Sequence, residues 1–111
     1  MRPGHYLPIT AATVMAALLC GPMAVPAHAA TIQITIEDMV FAPAEVSARV
    51  GDAIEWINKD VLAHTATARN GDFDVTTPPK KTVTSVLKKA GTVEYYCRFH
   101  PNMKAVLRIE P

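Results

Sequence analysis

Seven residues near the C-terminus, CRFHPNM from Cys97 to Met103, place a thiol, an imidazole and a thioether at even spacing. Cys-x-x-His-x-x-Met wrapped around a tight turn lets three side chains converge on one point, and Pro101 stiffens such a turn while removing an N–H. The chemistry this set can do is metal ligation. A fourth donor is available in His64, the only other histidine after residue 30, which follows NKDVLA. The loops of a β-sandwich gather at one end of the fold, which would bring His64 to the other three.

The donor types narrow the metal. Zinc sites use Cys, His and carboxylate and rarely Met. A c-type haem attachment needs Cys-x-x-Cys-His, and CRFH lacks the second cysteine. A thioether favours Cu(I), imidazole suits both copper states, and a trigonal His2Cys set with a long axial Met is the blue-copper electron-transfer arrangement. Taken singly, a buried cysteine, a surface histidine and a core methionine are ordinary. Their combination uses every Cys and His of the chain beyond residue 30.

The rest of the chain must position these donors. Residues 1–29 read as a secretory signal peptide: Arg2 near the start, an apolar run from Ile9 to Cys20, then Pro22, Pro26 and the small-residue end Ala27-His28-Ala29. The apolar run is short of the roughly 20 residues of a membrane span. Cleavage after Ala29 or Ala30 leaves a domain over 30–111 destined for the periplasm. Setting Arg2 aside leaves ten Lys/Arg against ten Asp/Glu, a near-neutral domain without the basic footprint of a nucleic-acid binder. Cys97 is then the single cysteine, so no disulfide can staple the small core, and a bound metal is the natural substitute.

Period-two patterning runs through the domain. TIQITIE sets Ile32, Ile34 and Ile36 on one face; EVSARV sets Val46, Ala48 and Val50; TVEYYC sets Val93, Tyr95 and Cys97; KAVLRIE sets Ala105, Leu107 and Ile109. AIEWIN, Thr65–Ala68 and TVTSVLK complete about seven strands, GDFDVTTPPKK reads as a loop, and His100 and Met103 fall in the loop before the last strand. No segment carries a helical stripe. The expected fold is all-β, a Greek-key β-sandwich.

At this level the chain resembles the cupredoxins, in the amicyanin, pseudoazurin and plastocyanin branch. FAPAEVSARVGDAIEWINKDVLAH is similar to the family's run from Phe-x-Pro through Val-Gly-Asp and Trp-x-Asn to the first ligand His, and GTVEYYCRFHPNM to its Gly-x-x-x-Tyr-x-Cys-x-x-His segment. The two residues between His100 and Met103 are the amicyanin spacing. The resemblance implies His64, Cys97 and His100 as equatorial copper ligands and Met103 as the axial one. Three departures stand out: Thr65 where the family often has Asn after the first His, its hydroxyl expected to tie the ligand loops less fully; Phe99 where it often has Pro; and a short segment from Asn70 to Lys80.

The resemblance implies a non-enzymatic, monomeric carrier of one electron, passing it through the His100 edge. An apolar patch of Met39, Leu62, Ala63, Phe99 and Pro101 would dock redox protein partners transiently. A methylamine-oxidising dehydrogenase and a c-type cytochrome are the partners it suggests. The alternative is a periplasmic copper carrier or buffer, but such carriers expose several Met or His, and beyond residue 30 only Met39 lies outside the four donors.

Overall fold

The computed structural model describes residues 29–111, so residues 1–28 of the expected signal peptide lie outside it. Among the described residues nine strands form: β1 Thr31–Glu37, β2 Val40–Ala42, β3 Glu45–Arg49, β4 Ala53–Asn58, β5 His64–Ala68, β6 Asp74–Thr77, β7 Thr82–Val86, β8 Gly91–Cys97 and β9 His100–Glu110. They make two facing sheets, ordered β2-β1-β4-β7 and β3-β9-β8-β5-β6. The sandwich is as expected, with two strands more than the pattern suggested. Val40–Ala42 is too short to show a period, and Asp74–Thr77 was hidden in a segment read as a loop from its Gly, Asp and Pro residues. The edge of β5 nevertheless pairs it, from His64↔Thr77 to Thr67↔Asp74.

Alternation decides what each strand buries. Ile34 and Ile36 of β1, Val46 and Ala48 of β3, Val93, Tyr95 and Cys97 of β8, and Ala105, Leu107 and Ile109 of β9 all face the core. Val50 does not; it lies past the end of β3, where the chain turns through Gly51 at φ 98°, and stays exposed. The core centres on Trp56, with Phe41 and Tyr95 in edge contact at centroid distances of 4.8 Å (Phe41–Tyr95) and 5.3 Å (Trp56–Tyr95). The Trp56 Nε1–H is satisfied by Ser85 Oγ at 2.9 Å. Tyr95 Oη, by contrast, is buried without a hydrogen-bond partner among the described residues, and burial pushes its phenol up in pKa.

The parallel pairing of β1 with β4, Thr31↔Ala53 through Ile36↔Asn58, gives the sandwich two poles. At one pole both strands begin, beside Ala30 and Asp52. At the other they end, and there the chain turns from β1 into β2 and from β4 towards His64.

Candidate metal centre

Cys97 ends β8, buried, with its side chain on the inward face that Val93 and Tyr95 share. A two-residue turn, Arg98-Phe99, follows, and β9 starts at His100 rather than after Met103 as the sequence suggested. The reason is a register break. Tyr96 pairs Lys104, but Cys97 pairs His100, so Pro101, Asn102 and Met103 are looped out of the ladder. This bulge bends the strand locally and keeps His100 opposite Cys97.

His64 opens β5 on the neighbouring strand, and its ring is fully buried. Asn58 builds the approach to it. Its amide nitrogen is shared among the carbonyls of Leu62, Thr77 and Pro78 at 2.9–3.1 Å, and its oxygen accepts the Asp60 N–H at 2.9 Å. From the other side, the Thr77 hydroxyl donates to the His64 carbonyl at 2.9 Å.

The result is convergence. Cys97 Sγ lies 3.7 Å from His64 Nδ1 and 3.8 Å from His100 Nδ1. One donor atom from each of the three residues falls within 4.8 Å of the others. Bonds of about 2.0–2.3 Å to one first-row metal would separate two donors by roughly 3.5 Å. A soft sulfur and two imidazoles at this spacing therefore fit a copper-type ion. Met103 is buried and lines the same surface cleft as His100, a space of about 340 Å³ also walled by Met39, Phe99, Pro101 and Asn102. His100 is partly exposed while His64 is not; Met39 and Phe99 stand exposed in the same cleft, and the exposed Val61 and Leu62 line a neighbouring hollow that shares Met39.

The Thr65 hydroxyl ties the two donor segments together more completely than expected. The Thr65 N–H donates to Cys97 Sγ at 3.3 Å, and its hydroxyl accepts the Arg98 N–H at 2.8 Å. The hydroxyl chain runs one way. The Asp74 carboxylate can only accept, so Thr67 donates to it at 2.7 Å, and Thr65 donates to Thr67 at 2.9 Å. Arg98 Nε closes the circuit on Asp74 at 3.2 Å. The Thr67 hydroxyl first, and Arg98 with it, holds the Asp74 carboxyl below the usual range against the opposing effect of burial.

Asp60 is the residue that sequence reasoning missed. Its Oδ2 lies 2.7 Å from His64 Nε2, and its carboxylate also accepts the N–H groups of Asp38 at 2.7 Å and Met39 at 3.1 Å. Burial works to raise its pKa, but the Met39 and Asp38 N–H groups and His64 together outweigh it and hold the carboxyl low. A signal was available: metal-bound histidines commonly give their second N–H to a carboxylate, and Asp60 is the one acid between Trp56 and His64.

Comparison with known proteins agrees with this geometry. Residues 9–109 match the model of the cupredoxin-like domain. The chain is 33% identical to methylamine utilization protein MauL of Methylorubrum extorquens, over 88% of this chain and 86% of that protein. It is 30% identical to amicyanin-alpha of the same organism, over 76% of each. An amicyanin variant solved in its reduced Cu(I) form superposes with a TM-score of 0.61 at 26% identity, covering 72% of this chain and 82% of that one. The family model covers the donor cluster and all but the end of the sandwich, and the chain belongs to the cupredoxin-like family.

Proposed function

We propose that this chain is a blue-copper carrier of single electrons, in which His64, Cys97, His100 and Met103 would hold one copper ion. The observation that carries this reading is the approach of two imidazole Nδ1 atoms to one buried thiol sulfur, at 3.7 and 3.8 Å. Bound copper would supply a one-electron couple between Cu(II) and Cu(I). The protein's part is to keep the donors still. Cys97 is anchored in a sheet, His64 is locked by Asn58 and Thr77, and the Thr65 hydroxyl holds the Arg98 turn. Burial of His64 and Cys97 keeps water from that side, while the partly exposed His100 leaves one ligand edge within reach of a partner.

The exposed apolar rim of Met39, Leu62, Phe99 and Pro101 suits weak, short-lived docking of another redox protein. A methylamine-oxidising dehydrogenase as donor and a c-type cytochrome as acceptor fit this reading, and the likeness to MauL and amicyanin supports it. Such a carrier is not itself an enzyme. Removal of residues 1–29 as a signal peptide would place the domain 30–111 in the periplasm as a monomer. Among the described residues, no helix is long and apolar enough to cross a membrane.

The test is spectroscopic and electrochemical. Copper-loaded protein should absorb intensely towards the red end of the visible spectrum and give reversible one-electron voltammetry. A colourless protein that yields its copper readily to a competing chelator would support a copper buffer instead.

A further inference from the structure

We propose that Asp60 is a positioning residue with two jobs: its carboxylate holds the buried His64 ring in the Nε2–H tautomer, and it ties that ring to the turn that carries Met39. The proposal deepens the copper reading, but its first arm stands without a metal. The Asp60 side chain is 14% exposed and that of His64 is 0% exposed, so their 2.7 Å contact is largely shielded from water. An ionised carboxylate only accepts. The proton therefore sits on Nε2, and Nδ1 keeps its lone pair towards Cys97 Sγ.

The same carboxylate receives the N–H groups of Asp38 and Met39. These two residues form the hairpin turn between the paired Glu37 and Val40, and both are left-handed, at φ 51° and 62°. A turn with both central residues at positive φ normally takes Asn-Gly or Asp-Gly. Met39 has no such freedom, so the turn needs external support, and Asp60 provides it. Met39 in turn walls the cleft beside His100. One carboxylate thus sets the chemical state of the buried imidazole and the shape of the exposed rim. Its negative charge also strengthens the imidazole as a donor, which favours the more oxidised metal.

The experiment compares the wild-type chain with Asp60→Asn and Asp60→Ala. Nitrogen-resolved NMR of the metal-free proteins reads the His64 tautomer, hydrogen exchange reads the Met39 amide, and voltammetry of the copper-loaded proteins reads the potential. Wild type should show Nε2–H at His64. In Asp60→Ala that preference should disappear and the Met39 amide should exchange at least tenfold faster. Asp60→Asn keeps one acceptor without the charge, so it should retain part of the protection and favour the reduced state about tenfold, a rise of about 59 mV for one electron. An Nδ1–H tautomer in wild type overturns the proposal, even if neither variant folds. So does an Asp60→Ala protein with unchanged tautomer and exchange, or an Asp60→Asn protein whose potential stays the same or falls. A chain that shows the expected tautomer and exchange but binds no copper refutes the metal reading and leaves the positioning role intact.

Discussion

Two aspartates stand at opposite ends of β4 and do the same mechanical work. Asp52, just before the strand, accepts the N–H groups of Ala30 and Arg49 at 2.9 Å each. Asp60, just after it, accepts those of Asp38 and Met39. Each carboxylate gathers backbone donors that strand pairing leaves over, and so ties the end of β1 to a neighbouring loop. The difference is a third partner. Asp60 also meets a buried imidazole, whereas Asp52 meets no side chain among its hydrogen bonds to the described residues. A clamp that elsewhere only closes the fold is, at the metal pole, built into the chemistry. A disturbance at the Asp52 pole should therefore change stability alone, and one at the metal pole should change stability and spectrum together.

The sharpest way to break this contrast is Cys97→Ser. It should abolish the thiolate-to-copper absorption and with it any copper-dependent gain in melting temperature, while the sandwich still folds. A variant that kept the wild-type spectrum would end the copper reading.

Next in size is copper itself. Ligand that binds the native state alone stabilises it by RT ln(1 + [L]/Kd), about 4 kcal/mol at a thousandfold excess over Kd. Paired thermal scans of apo and loaded wild type measure this. Asp52→Asn, remote from the donors, should leave the increment unchanged, since distant sites add. An increment that shrank would mean that the poles are coupled.

Thr65→Val tests the metal-pole network from within. It keeps the shape but removes the acceptor of the part-buried Arg98 N–H, a loss of about 1 kcal/mol. Denaturant unfolding should show the loss, and the copper spectrum should broaden as the Arg98-Phe99 turn loosens. Unchanged stability would reduce the hydroxyl chain to a bystander.

Between the poles, Tyr95→Phe should have the opposite sign. The phenol oxygen is buried without a partner among the described residues. Removing it should leave stability equal or raise it by about 1 kcal/mol, with the spectrum untouched. A clear loss of stability would show that the hydroxyl has a partner in solution.

The smallest effect is the pH dependence of Asp52. The Ala30 N–H first, then that of Arg49, holds its carboxyl below the usual range. A carboxyl depressed in the folded state adds stability above its unfolded pKa of about 3.9 and loses it as pH falls through the folded value. Asp52→Asn should thus be less stable than wild type at neutral pH, and the gap should close below about pH 4. A gap independent of pH would assign the effect to shape rather than charge.

Much of this protein was legible in its residues. A strand buries alternate side chains, so isoleucines two apart in β1 or Ala105, Leu107 and Ile109 in β9 declare a face without knowledge of any neighbour. The donors were legible for a different reason: with one cysteine and two histidines beyond residue 30, chemistry left few other sets. What could not be read was whatever depends on which strands lie side by side. The register break that loops out Pro101–Met103 exists only because β8 and β9 pair. The fuller tie through Thr65 depends on Arg98, 33 residues away, and the clamp at Asp60 on a turn 21 and 22 residues back. Such bonds have no period and no local composition. They form when packing the two apolar faces brings particular backbone N–H groups to particular oxygens, and so the tertiary structure alone decided how firmly the donors are held.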